Sequence, residues 1–235
     1  MLQDLGPIVL IGGIIRDVAM YGNGEFNSDV DIVVKPFDIS KFEEFMRSRN
    51  AVQNRFGGYS LEGYHWKVDV WALQQTWAHR AGHVQVLEFS DLLGATFFNC
   101  DAVIYDIAAK ELIARNEYFE KLKKRILDVN LLPNANPLGN AVRALRYVIL
   151  KDFCWGPGLS KFVLEQIESA GWQGLLEREQ RSFGTTYISD FNHKKLEIDL
   201  LRHVSSANEE DFRAINYLKY EQLEINLKAP TGLSK

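Results

Sequence analysis

Two blocks near the start of the chain constrain its fold more than anything else in the sequence. They are Val9-Leu10-Ile11-Gly12-Gly13-Ile14-Ile15-Arg16-Asp17 and Ser28-Asp29-Val30-Asp31-Ile32-Val33-Val34. The first reads as a short apolar strand ending in a Gly-Gly turn that opens a helix. The second reads as a strand carrying two aspartates one residue apart. Side chains alternate along a strand, so Asp29 and Asp31 project to one face, with Val30, Ile32 and Val34 expected in the core. Two carboxylates held this close repel each other unless a divalent cation neutralises them. A Gly-Gly turn running into a helix N-terminus offers free backbone N–H groups to phosphate. Metal-holding carboxylates beside a phosphate cradle point to transfer of a phosphate-containing group.

With 235 residues the chain can bury a full core as one large domain or two small ones. At 46% hydrophobic and 25% charged it has the composition of an ordinary globular protein. Its longest apolar runs, such as residues 142–150, are interrupted by arginines and fall short of the roughly 20 residues of a membrane span. The N-terminal Met1-Leu2-Gln3-Asp4 lacks the basic region of a signal peptide. Cys100 and Cys154 are too few for a disulfide framework or a cysteine zinc site and read as small buried residues. A cytoplasmic protein without membrane attachment is the expectation. The net charge of −4 argues against a long nucleic-acid footprint, which phosphate neutralisation would make basic, but leaves room for a local patch on a short 3′ end.

Along the chain, strands are expected at 8–11, 29–34, 51–56, 66–73 and 97–105. A helix is expected at 38–49, capped by Asp38 or Ser40, with Phe42, Phe45 and Met46 on one apolar face. Beyond Tyr118 the pattern is largely helical. The Pro- and Asn-rich loop 131–137 interrupts it, and helices follow at 140–151, 160–170, 175–180, 185–203 and 209–224. Trp155-Gly156-Pro157-Gly158 reads as a turn, and the tail 228–235 as frayed. The expected architecture is an α/β head, a mixed sheet with flanking helices, over residues 1–128, followed by a mostly helical neck over 129–235.

Gly12-Gly13-Ile14-Ile15-Arg16-Asp17 followed by Asp29-Val30-Asp31 resembles the signature of the polymerase-β-type nucleotidyltransferases, in particular bacterial CCA-adding enzymes and poly(A) polymerases. The resemblance runs in family order over about residues 8 to 150. Phe56-Gly57-Gly58-Tyr59-Ser60-Leu61 resembles the hairpin before the third acidic position, and Lys67-Val68-Asp69-Val70-Trp71 the strand that carries it. Asn99-Cys100-Asp101-Ala102-Val103-Ile104-Tyr105-Asp106 resembles the Asn-Ala-x-x-Tyr-Asp strand, and residues 119–127 the linker helix. Pro137-Leu138 with Arg143-Ala144-Leu145-Arg146-Tyr147 resembles the neck motif Glu-Asp-Pro-Leu-Arg and its continuation. Two elements depart. The family's Arg-Arg-Asp falls on Leu93-Gly94-Ala95. The neck motif's base-selecting Asp and Arg fall on Asn136 and Gly139 or, one residue on, Pro137 and Asn140.

The resemblance implies a nucleotidyltransferase of nucleotidyltransferase fold that uses two Mg²⁺ ions, with Mn²⁺ as a substitute. The ions would be held by Asp29, Asp31 and Asp69, the last helping to deprotonate the acceptor hydroxyl. Gly12 and Gly13 would admit the β- and γ-phosphates, and Arg16, Arg143 and Arg146 would meet phosphate, the two neck arginines equally suiting a helix-surface salt bridge. Asp17 reads as an internal partner of its own helix. Asn99 would bind nucleotide or hold the head–neck hinge. The implied substrate is an NTP, ATP or CTP first, and the leading acceptor an RNA 3′ end, tRNA above all. A C-terminal body for gripping RNA is expected to come from a partner protein, or the acceptor to be small. Two other readings stand beside this one: nucleotidylation of a small molecule or protein, and a nucleotide-binding regulator without turnover. His79 and His83, four apart, would share a helix face, as in some zinc sites, but lack a third ligand. Trp66, Trp71 and Trp77 suit base stacking or, for the first two, core packing.

Overall fold

The structure is a computed structural model describing residues 2–22, 28–62, 67–206 and 213. Its first half alternates strands and helices: β1 (Ile8–Ile11), α1 (Gly13–Tyr21), β2 (Val30–Val34), α2 (Ile39–Ser48), β3 (Val52–Gln53), β4 (Tyr59–Glu62), β5 (Lys67–Ala72), α3 (Trp77–Arg80), β6 (Val103–Asp106) and β7 (Glu111–Ala114). There follow α4 (Tyr118–Lys123), β8 (Ile126–Leu127), α5 (Pro137–Lys151), β9 (Cys154–Trp155), α6 (Pro157–Phe183) and α7 (His193–Ser206). This is the expected architecture, a mixed sheet with flanking helices followed by a helical region. The start of the strand at Trp66, the tail at 228–235 and the expected helix at 209–224 lie outside the described residues, except that Arg213 within 209–224 is described and forms an antiparallel bridge with Trp155 instead of a helical turn. No described helix is long and apolar enough to cross a membrane.

The main sheet runs in the order β3-β4-β5-β2-β1-β6-β7. Only β2 and β5 pair in parallel, which sets Asp31 directly beside Asp69 and Val33 beside Trp71. Consecutive residues of β2 serve opposite faces. Val34 joins Phe42 and Met46 of α2 with Val70 and Ala72, while Val33 joins Val9, Leu73, Val86, Leu92 and Ile104 on the other side. Of the expected core face, Val34 is fully buried and Ile32, half-buried, packs against the same cluster. The difference is that the opposite face is packed too, Val33 being 2% exposed, so both faces of β2 are covered by apolar side chains. The carboxylates therefore share their face with a packed cluster. Helix α2 forms as its sequence dictates: Asp38 Oδ1 accepts from the N–H groups of Ser40 and Lys41, at 2.9 and 3.3 Å.

Five expected elements differ. Residues 97–102 are not strand, and a short 3-10 turn (Asn99–Asp101) precedes β6. The Asn99 side chain accepts from the N–H groups of Cys100 and Asp128, both at 2.9 Å, and so competes with a ladder there. The helix expected at 119–127 stops at Lys123, because Arg125 takes φ 53° and residues 126–127 pair with β9. Residues 155–158 are less a turn than the junction of β9 with α6, whose first helical residue is Pro157. The two helices expected at 160–170 and 175–180 are one element broken at Gly171, which has φ 65° and ψ 170°. The expected helix at 185–203 is a short 3-10 turn (Tyr187–Asp190) followed by α7.

The start of α6 is capped from a distance. Gly156 has no side chain to serve it, and Asp128 Oδ1 accepts from the Leu159 N–H at 2.7 Å. A Cβ on Gly156 would fall 2.0 Å from Asp128 Oδ2. Gly156→Ala is therefore expected to displace the cap and cost about 2 kcal/mol, read as a lower urea midpoint at unchanged slope. An unchanged midpoint would show that Asp128 moves aside freely.

One apolar cluster joins Ile15 of α1, Phe98 and Val103 to Leu145 and Val148 of α5, Phe162 of α6 and Leu200 of α7. Helix α5 is thereby packed against the start of α1, and a cleft of about 1310 Å³ lies between the carboxylate face of the sheet and α5 and α6.

Candidate active site

The turn at Ile11-Gly12-Gly13 forms one wall of the cleft. Gly12 has φ 77°, a left-handed conformation that a side chain would strain, and its N–H donates to Val103 O at 3.0 Å. A Cβ on Gly13 would stand 3.0 Å from the Ser28 side chain, so the helix start and the Asp29 segment approach closely only because Gly13 has none. The first turn of α1 leaves backbone N–H groups without helical partners at this point. Ser28 Oγ lies beside it, buried and without a hydrogen-bond partner. A phosphate oxygen is the kind of group that would satisfy it.

Asp29, Asp31 and Asp69 all line the cleft, on the same face of neighbouring strands. Asp29 is exposed, Asp31 half-buried and Asp69 buried. Burial, together with the charges of Asp69, Asp101 and Asp29, pushes the Asp31 carboxyl up to about 7, against a hydrogen bond that Trp71 Nε1 donates to its Oδ1 at 3.2 Å. Asp69 accepts from Ser60 Oγ. The Lys67 ammonium bridges the other two carboxylates, 3.5 Å from Asp29 Oδ2 and 3.1 Å from Asp69 Oδ2. Burial opposes its charge, but the hydrogen bond and charge of Asp69, with the charge of Asp29, outweigh it and raise the lysine pKa.

Among the described residues no three carboxylate, imidazole or thiol groups converge closely enough to hold a metal ion as they stand. The donor set nonetheless fits one. It comprises hard oxygens on adjacent strands, one of them a carboxyl that burial and the neighbouring carboxylates make slow to give up its proton. Lys67 supplies that cation for Asp29 and Asp69 and would have to yield to a divalent ion. Lys67→Met is accordingly expected to tighten Mn²⁺ binding about five-fold, the scale of two exposed ion pairs, as measured by the EPR signal of free Mn²⁺. Equal affinities would show that the ammonium does not compete.

Arginines line the cleft as well, Arg16 close beside the turn, where its Nη2 would stand 3.4 Å from a Cβ on Gly13. Arg16 is 1% exposed, and its guanidinium donates to Asp17 at 2.8 Å, to Tyr147 Oη at 3.0 Å and to Asp101. Arg143 donates to the other oxygen of Asp101 at 3.1 Å and to Tyr147 Oη at 3.0 Å. Asp101 thus ties α1 to α5 through two guanidiniums. Asp17, the expected internal partner, also binds Lys151 at 2.6 Å. Burial alone would raise the Asp17 pKa, but the Arg16 and Lys151 interactions outweigh it and hold the carboxyl below its ordinary value. Arg146 pairs with the fully buried Glu179 at 2.8 Å and stacks on Phe183, 4.1 Å from the ring centre. All three arginines border the cleft with these partners in place.

Asn99 does not reach the cleft. Its amide donates to Ile126 O at 3.1 Å and its oxygen serves the Asp128 N–H, so it joins the head to the segment leading into α5. The histidines are not brought together as ligands: α3 ends at Arg80, His79 Nδ1 accepts from the Val86 N–H at 2.9 Å, and His83 packs on Trp77. Trp71 and Trp77 border the cleft, and Trp66 lies outside the described residues. Ser28, Lys67, Asn136 and Arg178 belong to the cleft without having been singled out as binding residues. The local signals were the position of Ser28 beside Asp29 and that of Asn136 at the neck motif.

No protein-family model and no curated protein matches the sequence. Solved structures do match the fold. A tRNA-processing enzyme with CTP aligns over 84% of this chain and 54% of its own, at 17% identity and TM-score 0.55. The Thermotoga maritima CCA-adding enzyme complexed with tRNA aligns over 84% and 48%, at 18% identity and TM-score 0.56. A tRNA nucleotidyltransferase complexed with a primer tRNA and an incoming ATP analog aligns over 87% and 61%, at 17% identity and TM-score 0.52. The chain therefore has the nucleotidyltransferase fold of the head and neck of CCA-adding enzymes, and spans about half the length of the first two structures.

Proposed function

We propose that this chain is a metal-dependent nucleotidyltransferase that moves a nucleoside monophosphate from an NTP to an acceptor hydroxyl, with an RNA 3′ end as the leading acceptor. The observation that carries this reading is the placement of Asp31 beside Asp69 on parallel strands, facing the Gly12–Gly13 turn within one cleft. The fold neighbours that hold CTP, an ATP analog and tRNA support it.

In this reading the triphosphate lies along the helix start at Gly12–Gly13, where Ser28 Oγ donates a hydrogen bond to one of its oxygens. Asp29, Asp31 and Asp69 would hold Mg²⁺, or Mn²⁺ in its place, and the bound ions would neutralise charge on the triphosphate and on the attacking oxygen. The acceptor oxygen bonds to the α-phosphorus, the bond from that phosphorus to the bridging oxygen breaks, and pyrophosphate leaves. Asp69 takes the hydroxyl proton and passes it to water. Arg143, held by Asp101, lines the cleft and would meet phosphate there, while Arg16 acts from within the core by fixing Asp101 and Tyr147. The reaction unit divides into a head, 1–128, and a neck, 129–235, and the free thiols of Cys100 and Cys154 suit a cytoplasmic setting.

The test offers four α-labelled NTPs to total tRNA and, separately, to a small-molecule extract. Label in RNA that is lost in the Asp29→Ala, Asp31→Ala variant supports the proposal, and label only in small molecules moves the acceptor to that class. The position of Lys67 between Asp29 and Asp69 favours one second reading, a nucleotide-binding protein without turnover. NTP binding with no label in either pool would establish it.

A further inference from the structure

At the neck-side rim of the cleft two arginines meet on one neutral acceptor. Arg55, in the turn between β3 and β4, and Arg178, in α6 beyond the Gly171 break, both donate through Nη2 to Asn136 Oδ1, at 3.1 and 3.2 Å. Sharing one oxygen, the two Nη2 atoms stand no more than roughly 6 Å apart, a range at which like charges repel even near a protein surface. The group between them is a neutral amide. Among the described residues neither arginine forms an ion pair with a carboxylate.

Two further observations point the same way. Arg178 Nε is buried and has no hydrogen-bond partner. Asn136 sits at the N-cap of α5, a 15-residue helix, and its side chain makes no capping bond, so the positive end of the helix is uncapped at the same place. Gly139 makes this arrangement possible: a Cβ there would stand 2.1 Å from Asn136 Nδ2. The amide of Asn136 is thus folded over the helix start and held toward the two arginines.

We propose that Arg55, Arg178 and the N-terminus of α5 form an oxyanion site that takes a backbone phosphate of the acceptor nucleic acid. The inference rests on the reading above for the place of the NTP. The triphosphate belongs at Gly12–Gly13 and the carboxylates, so an anion held by the turn between β3 and β4 and by α6 is a second one. An acceptor strand whose 3′ hydroxyl enters the cleft must carry its phosphodiesters back out across the rim. A local site of this kind also reconciles nucleic-acid binding with a net charge of −4.

The experiment measures binding rather than turnover. A fluorescent single-stranded RNA with a free 3′ hydroxyl is titrated against the full chain at several salt concentrations, and NTP binding is measured by calorimetry. The Arg55→Met, Arg178→Met variant is expected to bind RNA at least ten-fold more weakly and to lower the salt slope by about one, with NTP affinity unchanged. Asn136→Asp, which places a carboxylate between the two arginines, is expected to weaken RNA binding similarly while raising the melting temperature, which separates loss of the site from loss of the fold. Unchanged RNA binding in both variants would overturn the proposal, as would wild-type protein that does not bind RNA. A fall in NTP affinity with RNA binding intact would assign the site to the triphosphate instead. The Asp29→Ala, Asp31→Ala variant is predicted to keep its RNA affinity, so a failure of nucleotidyl transfer leaves this result readable by itself.

Discussion

Asp31→Asn is expected to reduce nucleotidyl transfer by roughly 10³-fold, the scale lost when a group that stabilises developing charge is removed, and yet to make the metal-free protein more stable. The two effects have one cause. Burial and the neighbouring carboxylates hold the Asp31 carboxyl at about 7, well above its ordinary value. The folded protein therefore binds a proton that the unfolded chain releases. The stabilisation linked to that proton is fully present below the ordinary carboxylate pKa and is lost as pH rises through about 7. Above that pH the ionised carboxylate burdens the fold by a cost on the order of 4 kcal/mol, and asparagine removes it while keeping an oxygen for Trp71. Thermal melts in EDTA should show the asparagine advantage largest at pH 8 and shrinking toward pH 4. An advantage independent of pH would mean that Asp31 is not held protonated in this way.

Glu179→Ala is the largest expected loss of stability, about 3–5 kcal/mol, because it breaks a buried ion pair from one side. Glu179 is fully buried in α6 and accepts from Arg146, from Thr185 Oγ1, and from the N–H groups of Tyr187 and Ile188 at 3.2 and 2.9 Å. Removing it leaves the Arg146 guanidinium of α5 without its carboxylate and two backbone donors without their acceptor. Urea unfolding measures the loss, and a change below about 1 kcal/mol would show that Arg146 and the 3-10 turn find water or other partners. The loss should also loosen the wall of the cleft that Arg146 and Phe183 build, so Mn²⁺ affinity at the carboxylates should change far less than affinity for NTP.

The elements that formed where the sequence placed them are those governed by local patterns. Asp38 announced the start of α2, alternation announced β2, and the Gly12–Gly13 turn announced its own backbone. Asp29, Asp31 and Asp69 were legible as neighbours because strand periodicity fixes faces, although only the parallel register of β2 with β5 sets Asp31 against Asp69. What sequence alone did not show depends on contacts between distant segments. Lys67 looks like an ordinary strand-end lysine until β5 brings it between two carboxylates. Arg178 looks like one charge among many on a helix until the break at Gly171 and the cap at Asn136 meet. Asn99 stands in a segment that alternates like a strand, yet its side chain binds backbone 27 residues onward and the ladder does not start until Val103. Residues 126–127 end a helical pattern but become β8 because β9 lies beside them to pair.

The most direct test of the central claim compares an NTP labelled at the α-phosphate with one labelled at the γ-phosphate, each incubated with the protein, Mg²⁺ and RNA. Nucleotidyl transfer at the Asp29–Asp31–Asp69 cleft predicts that α-label joins the RNA, that γ-label leaves as pyrophosphate, and that both signals vanish together in the Asp29→Ala, Asp31→Ala variant. Transfer of the γ-label to an acceptor, its release as orthophosphate, or α-label transfer that survives loss of both aspartates would contradict it.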